Sequence, residues 1–278
     1  PKSHIIASTQ MAQQANHALP QGFQVDQYRI ERQLSLGGFS IVYLAVDAEG
    51  RRVAIKEYLP NSLALRGEGE ISPNIAPEHL GAFRYGMKCF FEEGRALARL
   101  SHPNVVRVLN FFRANDTVYM VMEYRQGSTL QEYIQRRHKP VSENFLRNVF
   151  TRVLNGLREV HSHKLLHLDL KPSNIYLCND GTPMLIDFGA ARQALASDTP
   201  MLNPMYTPGF ASPEHYLREN LGPWSDIYSI GAAMYACIAL VAPQAADLRR
   251  ENDRLVPAAV RWSGRYPEQL LKIIDWCM

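Results

Sequence analysis

The feature that most constrains the fold is a change of residue period part-way along the chain. From Tyr28 to Tyr58 the runs "YRIERQLSL", "FSIVYLAV" and "RRVAIKEY" are rich in β-branched residues. Gly37-Gly38 and "AEG" at 48–50 separate them, which predicts three strands of an antiparallel meander. A helix is predicted over about 80–100, where Glu93, Leu97 and Leu100 share a face. Two further strands, "VVRVLNFF" and "TVYMVMEY", flank the turn "RAND". Beyond "RQGST" the helical period takes over in "LQEYIQRR" and "SENFLRNVFTRVLNGLREVHSHK", the second opened by Ser142 as N-cap. A small sheet-rich part therefore precedes a larger helical one, an α+β arrangement with no internal repeat. A ligand cleft is expected at the junction, near Glu123–Gly127.

Composition excludes several classes. With 46% hydrophobic and 21% charged residues over 278 positions, the chain has the make-up of a globular protein. A net charge of +3 is too mild to imply nucleic acid, and "RRHK" at 136–139 reads as a solvated helix end. Cys89, Cys178, Cys237 and Cys277 lie far apart with no C-x-x-C pair, so zinc and disulfide frameworks are not indicated. Reduced thiols and a cytoplasmic location are expected. The longest uncharged run, "IYSIGAAMYACIALVAP" at 227–243, falls short of the roughly 20 residues of a membrane span, and its small residues suit close helix packing. The opening 1–26 reads as a linker or arm.

Chemistry concentrates in "HLDLKPSNIYL", residues 167–177, followed by "LIDFGAAR" from Leu185. A carboxylate beside a hydroxyl accepts its proton, and a lysine two residues on neutralises a transferring phosphoryl group. An asparagine and a second aspartate together supply oxygen ligands for magnesium. With "VAIK" ending at Lys56, "SPE" at 212–214, "SHPNVV" from Ser101, "MVMEY" from Met120, "TPGF" from Thr207 and "WSDIYSIG" from Trp224, the chain resembles the protein kinase family over roughly 28–278. Lys171 and Thr207 make it similar to the eukaryotic-like (Hanks-type) serine/threonine kinases, and "KEYLP" and "GPWSDIY" look like bacterial members.

The resemblance implies a bilobal fold, with an antiparallel-sheet N-lobe plus one helix over 27–124 and a helical C-lobe over 125–278. It implies transfer of the ATP γ-phosphoryl group to Ser or Thr hydroxyls of proteins, autophosphorylation included, with Mg²⁺ or alternatively Mn²⁺. Residue by residue, Asp169 would be the base, Lys171 would stabilise phosphoryl charge, and Asn174 and Asp187 would ligate the metal. Lys56 would reach the α/β-phosphates. Its ion-pair partner would be Glu92 or Glu93; Glu93 is preferred because Leu97, one turn on, would stack on Phe188. His167 would sit beneath Phe188, and Asp226 would hold the catalytic loop through its backbone. Leu34, Gly37, Gly38, Val42, Ala54, Met122 and Tyr176 would line the ATP site, with the Glu123–Tyr124 backbone bonding the base. Taken singly, His167 is a core histidine, Glu93 a solvated helix residue and Lys56 a strand residue facing water; their joint order favours the site.

Departures matter as much. In "SLGGFSIV", Ser35 and Ser40 stand where the family's outer loop glycines lie, so a more restricted loop that still binds nucleotide is expected. Leu168 replaces the arginine that receives an activation-loop phosphate, so Ser197, Thr199 and Thr207 lack their usual receptor and activity is expected to depend less on loop phosphorylation. The long stretch between Lys56 and Glu93 reads either as an elaboration wrapping the small lobe or, at 60–85, as a dock for a regulator. Glu214 would pair with an arginine beyond residue 278, implying a longer native chain. Rival readings are a small-molecule kinase, which would lack the Thr207–Glu214 segment, and a pseudokinase scaffold.

Overall fold

The structure is a computed structural model that describes residues 16–188, 192–193, 206–217 and 219–278. It divides into two compact units. Unit 1 comprises Pro1–Lys88 and Phe112–Met120; unit 2 comprises Cys89–Phe111 and Val121–Met278. Ser197 and Thr199 lie outside the described residues, as does Gly189 of the "DFG" segment.

The predicted meander is β2 (Tyr28–Leu36), β3 (Ser40–Val46) and β4 (Arg52–Tyr58), antiparallel throughout, with a short β1 (Gln24–Val25) against β2. With β5 (Val108–Ala114) and β6 (Thr117–Glu123) the sheet order is β1-β2-β3-β4-β6-β5. Register sorts the faces: Val42 opposes Lys56 and Leu44 opposes Ala54, which puts these four on one face. Ile41, Tyr43, Ile55 and Glu57 take the other.

On that other face lies a buried polar cluster that sequence did not announce. Arg66 Nη1 and Nη2 donate to Glu57 Oε1 and Oε2 at 2.6 and 2.7 Å, with both side chains at 0% exposure. Tyr43 and Tyr119 hydroxyls donate to the same carboxylate at 2.7 and 2.6 Å. Burial beside this carboxylate raises both phenols well above their usual range. The linker reading fails from residue 16 on, because this stretch supplies hydrogen bonds that the cluster's neighbours need. Buried Asn16 donates to Leu59 O, Ala64 O and Asn61 Oδ1, and accepts from Arg66 N at 2.7 Å. His17 O accepts from Arg66 Nε, and Leu19 N donates to Tyr43 Oη. Residues 59–66 thus fold against unit 1 as an elaboration of it.

The helix predicted over 80–100 is α1 (Leu80–Leu97). Glu92 lies on its exposed face, 3.4 Å from Arg95, whereas Glu93 is half-buried and Leu97 buried. In unit 2, α2 (Leu130–Arg137) is closed by a capping box between Thr129 and Glu132, and α3 (Glu143–Ser162) by the Ser142 hydroxyl accepting from Phe145 N. A three-stranded sheet missed in the sequence joins β7 (Gly127–Thr129), β9 (Ile175–Cys178) and β10 (Pro183–Leu185) in the order β10-β9-β7; β8 (Leu165–Leu166) pairs with β11 (Arg192–Gln193). These strands are too short for periodicity to register.

The apolar run forms α5 (Pro223–Ala239), after α4 (Pro213–Leu217). Three helices follow: α6 (Ala246–Glu251), α7 (Ala258–Arg261) and α8 (Glu268–Cys277). Gly231 lets α8 approach α5, since a Cβ there would meet Cys277 Cβ at 2.5 Å. Among the described residues no helix is long and apolar enough to cross a membrane, and all four cysteines are free.

Candidate active site

The dense polar stretch becomes a loop between β8 and β9, held from beneath by one buried carboxylate. Asp226, in the first turn of α5, accepts from His167 N through Oδ2 at 2.9 Å and from Leu168 N through Oδ1 at 2.8 Å. His161, at the end of α3, contacts Asp226 Oδ2 at 2.8 Å. Sequence reasoning found Asp226 and missed His161, whose only signal is that it falls within the last turn of α3.

His167 is fully buried and packs against Phe188 in a tilted pair with ring centroids 4.4 Å apart. Its Nε2 faces Ile186 O and its Nδ1 accepts from Asp169 N, an arrangement for the neutral ring. Burial holds its pKa below the usual histidine value, partly opposed by Asp226, Asp169 and Asp187. Leu168 and Asp187 both take left-handed backbone, with φ of 63° and 58°. Non-glycine residues seldom do so unless neighbours hold them there, and such positions cluster where geometry serves chemistry.

Asp169 and its neighbours form a tight constellation. Lys171 Nζ donates to Asp169 Oδ2 and to Thr207 Oγ1, each at 2.7 Å, while Thr207 Oγ1 donates to Asp169 Oδ1 at 2.8 Å. Asn174 Nδ2 donates to Asp169 O and Oδ2 at 2.8 and 3.1 Å. The amide nitrogen of Asn174 is thus committed, which leaves its oxygen as the atom it can offer a cation. Thr207 already shows that an aliphatic hydroxyl fits against Asp169 Oδ1 beside an ammonium group.

The segment after the loop is tied back firmly. Ser229 Oγ donates to Phe210 O, and Ser225 Oγ donates to Glu214 Oε1 at 2.8 Å. Glu214 thus has a hydrogen-bonding partner in the first turn of α5. His215, buried and unremarked in the sequence, reaches Leu168 O through Nε2 at 3.1 Å.

In unit 1, Lys56 is buried on β4 on the face it shares with Val42 and Ala54; Leu34 is half-buried, and Gly37 and Gly38 are exposed in the β2–β3 turn. In unit 2, Met122, Tyr124 and Tyr176 are half-buried and Glu123 is exposed. Neither Gly37 nor Gly38 has positive φ, and Ser35 and Ser40 lie in extended strands, so serine imposes no strain there. Order comes from elsewhere: Leu59 N and Asn61 N donate to Phe39 O and Gly38 O at 2.9 and 2.8 Å.

Asp169, Lys171 and Asn174 thus share one hydrogen-bonded loop of unit 2, the unit that also contains Asp187 and Phe188. Residues 28–277 match the family described as "Protein kinase domain", and the chain belongs to that family. It is 28% identical over 257 residues to "Probable serine/threonine-protein kinase PknB" of Lactococcus lactis, covering 90% of this chain and 38% of that protein. It is also 28% identical over 219 residues to "Serine/threonine-protein kinase PLK4" of Drosophila virilis, covering 78% of this chain and 26% of that one. The chain therefore spans well under half the length of these relatives. A solved structure titled "PpkA-294 apo form" is similar with a TM-score of 0.82 and 32% identity, covering 94% of this chain and 92% of the other.

Proposed function

We propose that this chain is a serine/threonine protein kinase that transfers the γ-phosphoryl group of ATP to Ser or Thr hydroxyls of proteins, itself included. The observation that carries the reading is the Asp169 carboxylate, gripped by Lys171 and Asn174 with a threonine hydroxyl seated on its Oδ1. A substrate hydroxyl brought to the Asp169 carboxylate beside Thr207 would be oriented by it and give up its proton to it as the new oxygen–phosphorus bond forms and the bond from the γ-phosphorus to the ADP leaving group breaks. Lys171 would offset charge on the transferring group.

Asn174, through its free amide oxygen, and Asp187 are hard oxygen donors of the kind magnesium prefers. The bound ion would neutralise phosphate charge. Lys56 and Glu93 take the phosphate-anchoring roles, and Leu34, Gly37, Gly38, Val42, Ala54, Met122, Glu123, Tyr124 and Tyr176 the nucleotide-binding ones. Residues 27–124 are then the N-lobe and 125–278 the C-lobe, with the 60–85 stretch an elaboration of the former. Leu168 cannot receive a phosphate, so phosphatase treatment should leave activity largely intact.

The test measures ³²P transfer from Mg-ATP to the chain and to a generic Ser/Thr protein. Asp169→Asn should lower it by about 10²–10⁴-fold, and Lys56→Met should also abolish signal. Nucleotide binding without transfer by the parent chain would replace the kinase reading with the scaffold one.

A further inference from the structure

We propose that His215 is a positioning residue for the catalytic loop, holding Leu168 and through it Asp169 by a neutral imidazole bridge that does the work of an external phosphate. The inference rests on the kinase reading and deepens it.

Leu168 sits immediately before Asp169, is 4% exposed, and adopts φ of 63°. Left-handed backbone is strained at any residue that carries a Cβ and persists where the surrounding structure holds it. Two grips are present. Asp226 Oδ1 takes the Leu168 N–H at 2.8 Å, and His215 Nε2 reaches the Leu168 carbonyl at 3.1 Å. The first comes from α5 and the second from α4, so the loop is clamped between two elements.

The chemistry of the two ring nitrogens fixes the protonation state. A carbonyl only accepts, so Nε2 carries the hydrogen. Ser212 N donates to Nδ1 at 3.2 Å, with Ser212 Oγ 2.7 Å away, so Nδ1 must be the bare acceptor. Both nitrogens are spoken for only in the neutral Nε2–H form, and burial favours that form against the hydrogen bond to Leu168 O and the pull of Asp226, Glu214 and Asp169. The Tyr206 ring closes the remaining side, 6.5 Å away.

The bridge therefore links Ser212, at the head of α4, to the residue preceding the base, while Thr207 links the same segment to Asp169 and Lys171. The 206–215 segment is bolted to the loop at two points by its own side chains, Thr207 and His215. Since Leu168 offers no charge for a phosphorylated side chain to pair with, internal anchoring by His215 supplies what fixes Asp169.

Two variants separate positioning from mere packing. His215→Asn retains an acceptor near Ser212 but is too short for Leu168; His215→Gln reaches Leu168 with an amide N–H. Expected for His215→Asn is a fall in kcat of about tenfold or more with KM for Mg-ATP unchanged, because misplacing a reacting group acts on the chemical step. His215→Gln should recover most of that loss at a melting temperature no higher than that of His215→Asn. Equal losses in both variants, or a loss that only tracks the folded fraction, would overturn the proposal.

Asp169→Asn, run in parallel, tests the kinase reading by itself: an inactive parent chain sinks that reading. The positioning link is then still decided by ¹⁵N-histidine NMR at pH 7. The Nε2–H tautomer at His215, with Leu168 and Asp169 amide shifts that move in His215→Asn, supports it. The other tautomer, the charged ring, or unmoved amides refute it.

Discussion

Replacing Arg66 by leucine probes the buried cluster of unit 1. The guanidinium makes two hydrogen bonds to Glu57 and one to Tyr43, and both charged side chains are fully inaccessible. Removing it leaves the Glu57 carboxylate buried with only the Tyr43 and Tyr119 hydroxyls as donors. Stranding one partner of a buried pair costs about 3–5 kcal/mol, far more than the roughly 0–1 kcal/mol of an exposed pair. For a domain of this size each kcal/mol moves the melting temperature by about 2–4 °C, so a drop of roughly 6–20 °C is expected by calorimetry. The drop should be nearly independent of salt, because burial excludes screening ions. Glu57→Gln combined with Arg66→Leu should be less destabilised than the sum of the single changes, since the neutral amide leaves no stranded charge, accepts from one tyrosine through its oxygen and can donate to the other's hydroxyl oxygen. A loss below about 1 kcal/mol in Arg66→Leu, or strict additivity in the pair, would refute the claim that a stranded charge is the dominant cost.

Asn16→Ala removes four hydrogen bonds of the side-chain amide, three of them buried, and should destabilise unit 1 by about 1–3 kcal/mol. Because Asn61 also holds the glycine turn through Gly38 O, hydrogen exchange at residues 36–40 should quicken in that variant; unchanged exchange would sever the connection. Thr207→Ala should reduce kcat by about tenfold, with Thr207→Ser restoring it, because only the hydroxyl bridges Asp169 and Lys171. His167 and His215 both have folded pKa values depressed by burial, so below the unfolded value near 6.5 the unfolded chain binds protons that the folded one refuses. Stability from these residues is present above that pH and lost as pH falls. The melting temperature should drop between pH 7 and 5.5, and less steeply in His215→Gln; equal slopes would exclude His215.

Local pattern alone made the meander, the long helices and the loop chemistry legible. Alternation needs only neighbours in sequence, as in β2 to β4, and Ser142 and Thr129 cap helices a few residues away. That Asp169, Lys171 and Asn174 meet in one loop was likewise legible, since only a few positions separate them. What tertiary structure decided lies in contacts between distant positions. Glu57 follows Lys56 on one strand, yet the pleat sends them to opposite faces, and only the fold brings Arg66, Tyr43 and Tyr119 around Glu57. Asn16 reads as part of a polar arm until Leu59, Asn61, Ala64 and Arg66 surround it. Leu168 shows in sequence only what is missing there; that its backbone is clamped by Asp226 and His215 follows from α4 and α5 meeting the loop. Sequence carries what short-range spacing dictates. The satisfaction of a buried charge or carbonyl depends on which remote donor arrives beside it, and that is settled by packing.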